Sequence, residues 1–190
     1  MMQLVTGLLS SLLGIVVIIG WVFNVPTLVQ ILPDYVPMQF NTAIGFLLCG
    51  GALLLSRFKQ YSYGYLCGFI VAMLGFFTIL QYGYGWEFGI DELFIKHYIN
   101  INSSSPGRMA PNTALCFILS GLALGLIHSY KNRSRLGIVV LTLGGLSTIG
   151  YIFDLVELYG WGKMTEMALH TSLGFIAVGV GINSFRLDEK

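Results

Sequence analysis

The chain of 190 residues is 55% hydrophobic and only 10% charged, with cations and acids balancing to a net charge of +1. Ordinary soluble domains carry about 25% charged residues, so a disordered chain, a basic-patch nucleic-acid binder and a conventional soluble enzyme are all excluded. The mean hydropathy of +0.77 instead describes a polytopic helical membrane protein with little mass outside the bilayer.

The first apolar run covers residues 4–23. No Lys or Arg precedes it and no small-x-small cleavage site ends it, so it reads as an uncleaved helix and not as a signal peptide. Further spans follow at 40–56, 63–83, 111–128, 136–153 and 168–185, six in all. The predicted fold class is therefore an all-α polytopic bundle of six transmembrane helices. Cys49, Cys67 and Cys116 all lie inside these runs and read as small hydrophobes, with no metal or disulfide pattern among them.

Cations set the orientation. Arg57 and Lys59 follow the second span, Lys131, Arg133 and Arg135 the fourth, and Arg186 and Lys190 the sixth. Only Lys96, Arg108 and Lys163 fall on the other side, together with seven of the nine acids. The bias predicts a bacterial inner-membrane protein with both termini cytoplasmic. The internal connections are about seven residues each and the external ones about 16, 27 and 14. Trp86 and Trp161 in the external loops suit an interfacial belt. The loop around Trp86 is expected to form a short interfacial helix.

The spans repeat. Met38-Gln-Phe-Asn-Thr-Ala-Ile-Gly-Phe46, Met109-Ala-Pro-Asn-Thr-Ala-Leu-Cys-Phe117 and Met167-Ala-Leu-His-Thr-Ser-Leu-Gly-Phe175 open the even spans, and Gly50, Gly121 and Gly179 follow at a common offset. In the odd spans Leu13-Gly14, Leu74-Gly75 and Leu143-Gly144 precede Trp21, Tyr82 and Tyr151 by the same interval. The chain thus reads as one transmembrane domain, 1–190, of three tandem helical hairpins at about 3–58, 62–130 and 134–186. The copies run in the same direction, which predicts a pseudo-threefold axis along the membrane normal.

Two accounts of the repeat follow. Asn or Thr at a helix start caps free N–H groups, and the small residues permit close helix approach. Alternatively, three outward-pointing helix N-termini form a mouth favouring an anion or a carbonyl-bearing ligand. Candidate ligand-binding residues there are Asn41, Thr42, Asn112, Thr113, His170 and Thr171, with Tyr82 and Tyr151 walling the cavity. His170 breaks the Asn pattern and is the ionisable member. Arg108 stands beside a helix N-terminus, where a cation is misplaced, so Asp91, Glu92, Asp154 or an anionic ligand is expected to pair with it.

Gly-Ile-Asp-Glu-Leu-Phe (89–94), the run 106–117 and the run 167–175 resemble the multi-helix membrane-associated sensor regions that precede PAS, histidine kinase or diguanylate cyclase domains in bacteria. The resemblance implies a sensory input module of two-component type signalling, its last helix passing a signal to a cytoplasmic output domain. No output domain follows the sixth span here, so the chain reads as an excised input module or a relative acting through partners.

The expected function is a receptor module that binds a small amphipathic or anionic ligand at its outer side. Its partners would be the lipid bilayer and a cytoplasmic signalling domain or a second copy, with no nucleic acid. No cofactor, no metal and no enzymatic activity are expected, because His97, His128 and His170 are dispersed and no catalytic pairing occurs within a span. A small transporter or channel, and a structural assembly protein, are the alternatives. The former would require mid-membrane polar residues, which are few (Thr78, Thr142, Ser147, Thr148).

Overall fold

The computed structural model describes residues 1–99, 101, 103–126 and 129–185. They form α1 (Met2–Val22), α2 (Pro26–Val29), α3 (Phe40–Arg57), α4 (Tyr61–Tyr84), α5 (Pro111–Gly125), α6 (Tyr130–Phe153) and α7 (Leu169–Ser184), with a single 3-10 turn at Val156–Leu158. No strand occurs among the described residues. Local signals set several boundaries. Pro26 and Pro111 occupy the first helical turn, where the missing N–H is no loss. Gly85 ends α4 in the left-handed conformation that a residue without Cβ adopts freely.

α1, α3, α4 and α6 are long and apolar enough to cross a membrane, while α5 and α7 are shorter apolar helices of 15 and 16 residues. The residues 127–128 expected to end the fourth span, His128 among them, lie outside the described residues, as do 186–190.

Two expectations are corrected. The loop 85–110 contains no helix among its described residues, because Gly85, Gly89 and Gly107 all take positive φ and break any helical run. Lys131, Arg133 and Arg135 belong to the first turns of α6 and not to the loop before it. Arg133 is buried there. Its Nη2 donates to the Phe185 carbonyl at 2.6 Å and its guanidinium lies 4.4 Å from the Phe185 ring centroid.

The helices pack as α1 on α3, α4 on α5 and α6 on α7, and these pairs meet one another along α3–α4, α5–α6 and α7–α1. Small residues make the close approaches. A Cβ added at Gly14 would lie 2.5 Å from the Ala43 carbonyl oxygen, and at Gly144 2.8 Å from that of Ser172. Gly75 meets Ala114 in the same way. Seven residues before each, Gly7, Gly68 and Gly137 pack beside Gly50, Gly121 and Ile182. This seam lets backbones touch, which supplies dispersion contacts where apolar burial gives no drive in lipid.

At the centre α3, α5 and α7 converge. Phe46, Phe117 and Phe175 are fully buried and form a triangle, with ring centroids 5.4, 4.9 and 4.9 Å apart. Gly45 gives room to the Phe117 ring and Gly174 to the Phe46 ring, so the small residue of one copy seats the aromatic of the next. The outer faces of α1, α4 and α6 carry exposed leucines, isoleucines and phenylalanines, while Gln3, Thr6, Thr78 and Gln81 point inward. That is the reverse of a soluble bundle, and it suits lipid as the surrounding solvent.

Candidate functional site

The helix end that carries the Met-x-x-Asn/His-Thr runs is held by three matching hydrogen bonds. Trp21 Nε1 donates to the Met38 carbonyl at 2.8 Å, Tyr82 Oη to that of Met109 at 3.0 Å, and Tyr151 Oη to that of Met167 at 2.8 Å. The spacing of the aromatic after the Leu-Gly pair explains this, since it brings the ring level with the chain as it enters the partner helix. Met38, Met109 and Met167 are themselves buried.

Asn41 and Asn112 do not sit at the N-cap, which is Gln39 in α3 and Ala110 in α5, and neither cap residue makes a side-chain bond. They occupy the second helical position and reach across to the following copy. Asn41 Nδ2 donates to the Ile90 carbonyl at 2.7 Å, and Asn112 Nδ2 to the Tyr159 carbonyl at 2.9 Å. Asn112 Oδ1 also accepts the Thr113 N–H at 2.9 Å, which retains part of the capping expected of it. Ile90 and Tyr159 each stand eight residues beyond the aromatic, Tyr82 or Tyr151, and Val29 stands eight beyond Trp21.

His170 occupies the third equivalent position and its imidazole stands toward the Val29 carbonyl, yet neither ring nitrogen has a hydrogen-bond partner of ordinary geometry. The Val29 carbonyl instead accepts the Met38 N–H at 2.9 Å. The imidazole nitrogens are buried although part of the ring edge is open.

Arg108 resolves within the protein. Its Nε donates to Asp91 Oδ2 at 2.8 Å, Gln81 Nε2 donates to the same oxygen at 2.8 Å, and the guanidinium lies 5.5 Å from the Tyr82 ring centroid. Asp91, and neither Glu92 nor Asp154, is the acid that meets the misplaced cation. Asp154 is exposed and ends α6 in the left-handed conformation at φ 55°. Thr42, Thr113 and Thr171 are buried in the first turns of α3, α5 and α7.

The loops cover the aromatics of the preceding copy. Tyr35 packs 5.1 Å from Tyr151, which stacks on Tyr159 at 3.9 Å. His97 and Tyr98 flank Trp21 at 4.9 and 4.8 Å, and Tyr98 Oη donates to the Gly20 carbonyl at 3.2 Å. Burial there holds the His97 imidazole below its ordinary pKa, against a smaller opposing pull from Glu92. Ser104 and Thr165 join the second and third loops through their hydroxyls at 3.2 Å.

The candidate residues therefore share one end of the bundle, where Asn41, Tyr82, Arg108, Asn112 and Tyr151 spend polar atoms on other parts of the protein. Among the described residues no grouping of His, Cys, Asp and Glu could hold a metal ion. Sequence reasoning missed Gln81, which anchors Asp91, and Ser10, whose buried hydroxyl has no partner. A residue-by-residue comparison of the three copies signals both. Gln81 stands where the others have Gly20 and Gly150, and Ser10 where they have Val71 and Val140. No family model, curated protein or solved structure matches the chain.

Proposed function

We propose that this chain is a membrane-embedded sensory module that binds a small ligand near its outward-facing end and passes the change along α7 to a cytoplasmic signalling domain or partner. It crosses the bilayer six times as three tandem hairpins, with both termini cytoplasmic. The short helices α5 and α7 support this topology because they lie at the centre of the bundle, where the chain entering each, Met109–Ala110 and Met167–Ala168, is buried in protein and need not meet lipid. The retained cation asymmetry supports the orientation.

One observation carries the ligand site. Of the three equivalent residues Asn41, Asn112 and His170, only His170 makes no hydrogen bond of ordinary geometry, standing toward the Val29 carbonyl beside the free N–H groups at the start of α7. A buried polar group without a partner costs about 1–3 kcal/mol, a cost that a ligand would remove. A transport path along the axis would have to pass the phenylalanine triangle, which disfavours the channel alternative.

The test is thermal unfolding of the purified protein in lipid nanodiscs against a panel of small water-soluble metabolites and lipids. A saturable rise in Tm that His170→Ala abolishes supports the reading. An unchanged dose response in His170→Ala sinks it.

A further inference from the structure

The seam between α7 and α1 differs from the other two seams at several positions, and three of these line one groove. Ser10 replaces the valine of Val71 and Val140, Ala177 replaces the leucine of Leu48 and Leu119, and His170 replaces the asparagine of Asn41 and Asn112. Ser10, His170 and Ala177 line a groove of about 220 Å³ between the two helices. Its rim is formed by Leu9 and Leu173, which are 54% and 48% exposed on the apolar flank of the bundle.

Each difference has a physical consequence. Ala for Leu vacates side-chain volume that the other seams fill. Ser for Val places a hydroxyl in an apolar wall, where it is 1% exposed and has no hydrogen-bond partner. His for Asn adds two ring nitrogens, neither with a hydrogen-bond partner of ordinary geometry, one side of the ring standing toward the Val29 carbonyl. A natural interior pairs its buried polar groups, whereas here Ala177 opens space and the Ser10 hydroxyl and His170 nitrogens lie buried in the groove walls without partners of ordinary geometry, a combination that describes a binding groove and not a packing fault.

The geometry also fixes the spacing. α7 and α1 run antiparallel, with Gly174 against Leu13 and Gly181 against Thr6, so Ala177 is level with Ser10. His170 lies seven residues further toward the outer end, roughly 10 Å at about 1.5 Å per residue. The groove volume falls below the ~300–1,000 Å³ of drug-sized pockets, which leaves room for one narrow chain and not for two.

We infer that this groove binds a single-chain amphiphile entering from the bilayer, its hydrogen-bond-accepting head on His170 and the first-turn N–H groups of α7, and a second oxygen on its chain at Ser10. The inference rests on the sensory reading above and names the ligand class of that site. An oxygenated medium-chain acid fits in both length and polarity.

The experiment measures Tm in nanodiscs of dioleoylphosphatidylcholine with ω-hydroxydecanoate or plain decanoate. The hydroxylated acid is expected to raise Tm saturably and more than decanoate does. Ser10→Val removes the difference between the two acids. Ser10→Val with Ala177→Leu gives two of the three groove positions the residues of the other seams and fills the groove, so the double variant is expected to stay folded with Tm unlowered and to lose both shifts. Equal shifts in the wild type and the double variant would mean mere partitioning into the bilayer and would overturn the inference. If water-soluble metabolites act through His170 while neither acid does, the inference falls and the sensory reading stands. If nothing in either set shifts Tm, both fall.

Discussion

Single residues at the end of the bundle that carries the Met-x-x-Asn/His-Thr runs act mainly as ties between copies. Asn112 is bound through both ends of its amide, to the Tyr159 carbonyl and the Thr113 N–H. Asn112→Ala is expected to lower stability by about 1–2 kcal/mol, toward the low end because the Tyr159 carbonyl retains the Met167 N–H at 2.8 Å. Chemical unfolding in a mild detergent would measure it, and a loss below a few tenths of a kcal/mol would show that the amide is not holding the loop. His97 adds a pH dependence. Burial against Trp21 lowers its folded pKa from the ordinary 6.5, so the unfolded chain binds the proton more readily. Its contribution is complete above that ordinary value and is lost as pH falls from it toward the folded pKa. Tm should therefore decline on acidification below about 6.5, and His97→Gln should flatten that limb.

At the scale of the helix, the close approaches decide what each glycine tolerates. In α4, Gly75 lies against the Ala114 backbone, whereas nothing lies within 4 Å of where a Cβ would project from Gly83. Gly75→Val is expected to cost about 1–3 kcal/mol or more through overpacking. Gly83→Ala on the same helix should be neutral or stabilising by up to about 1 kcal/mol, since it restricts the unfolded chain. Paired unfolding curves check both, and similar losses at the two positions would contradict the seam. Much of this level was legible in the sequence, because Leu13-Gly14, Leu74-Gly75 and Leu143-Gly144 recur in register and each glycine meets the small residue after a Thr. The starts of α3 and α5 were also legible from Phe40 and Pro111. The loop at 85–110 was not, because three glycines with positive φ undo the helical periodicity that its apolar residues suggest. The start of α6 was misjudged for a different reason. Charges predict solvent, but Arg133 buries its guanidinium on Phe185 and a carbonyl.

For the molecule as a whole, the copies form a ring in which each leans on the next. The small residue beside the axial phenylalanine, the asparagine reaching to the following loop and the loop covering the preceding aromatic all run in the same rotational sense. Which residues belong to the candidate site could be listed from the repeat. What each of them touches could not, because an amide such as that of Asn41 serves equally as a cap, a ligand contact or a tie until the neighbouring loop is in place. Symmetry gives the reference against which a site shows itself: where all three copies agree the residue is architectural, and where one differs the difference needs its own cause.

The ring has one join unlike the rest. α3 passes to α4 through residues 58–60, and α5 leads to α6 through residues 126–129, so those two seams are tethered at one end. Among the described residues α1 is the first helix and α7 the last, so no short tether joins them. A wedge driven between tethered helices must pivot about the connecting segment, whereas no connecting segment sets such a pivot between α7 and α1. The seam that carries Ser10, Ala177 and His170 is therefore the one whose opening is resisted by side-chain packing alone, with no connecting segment to hold its two helices together.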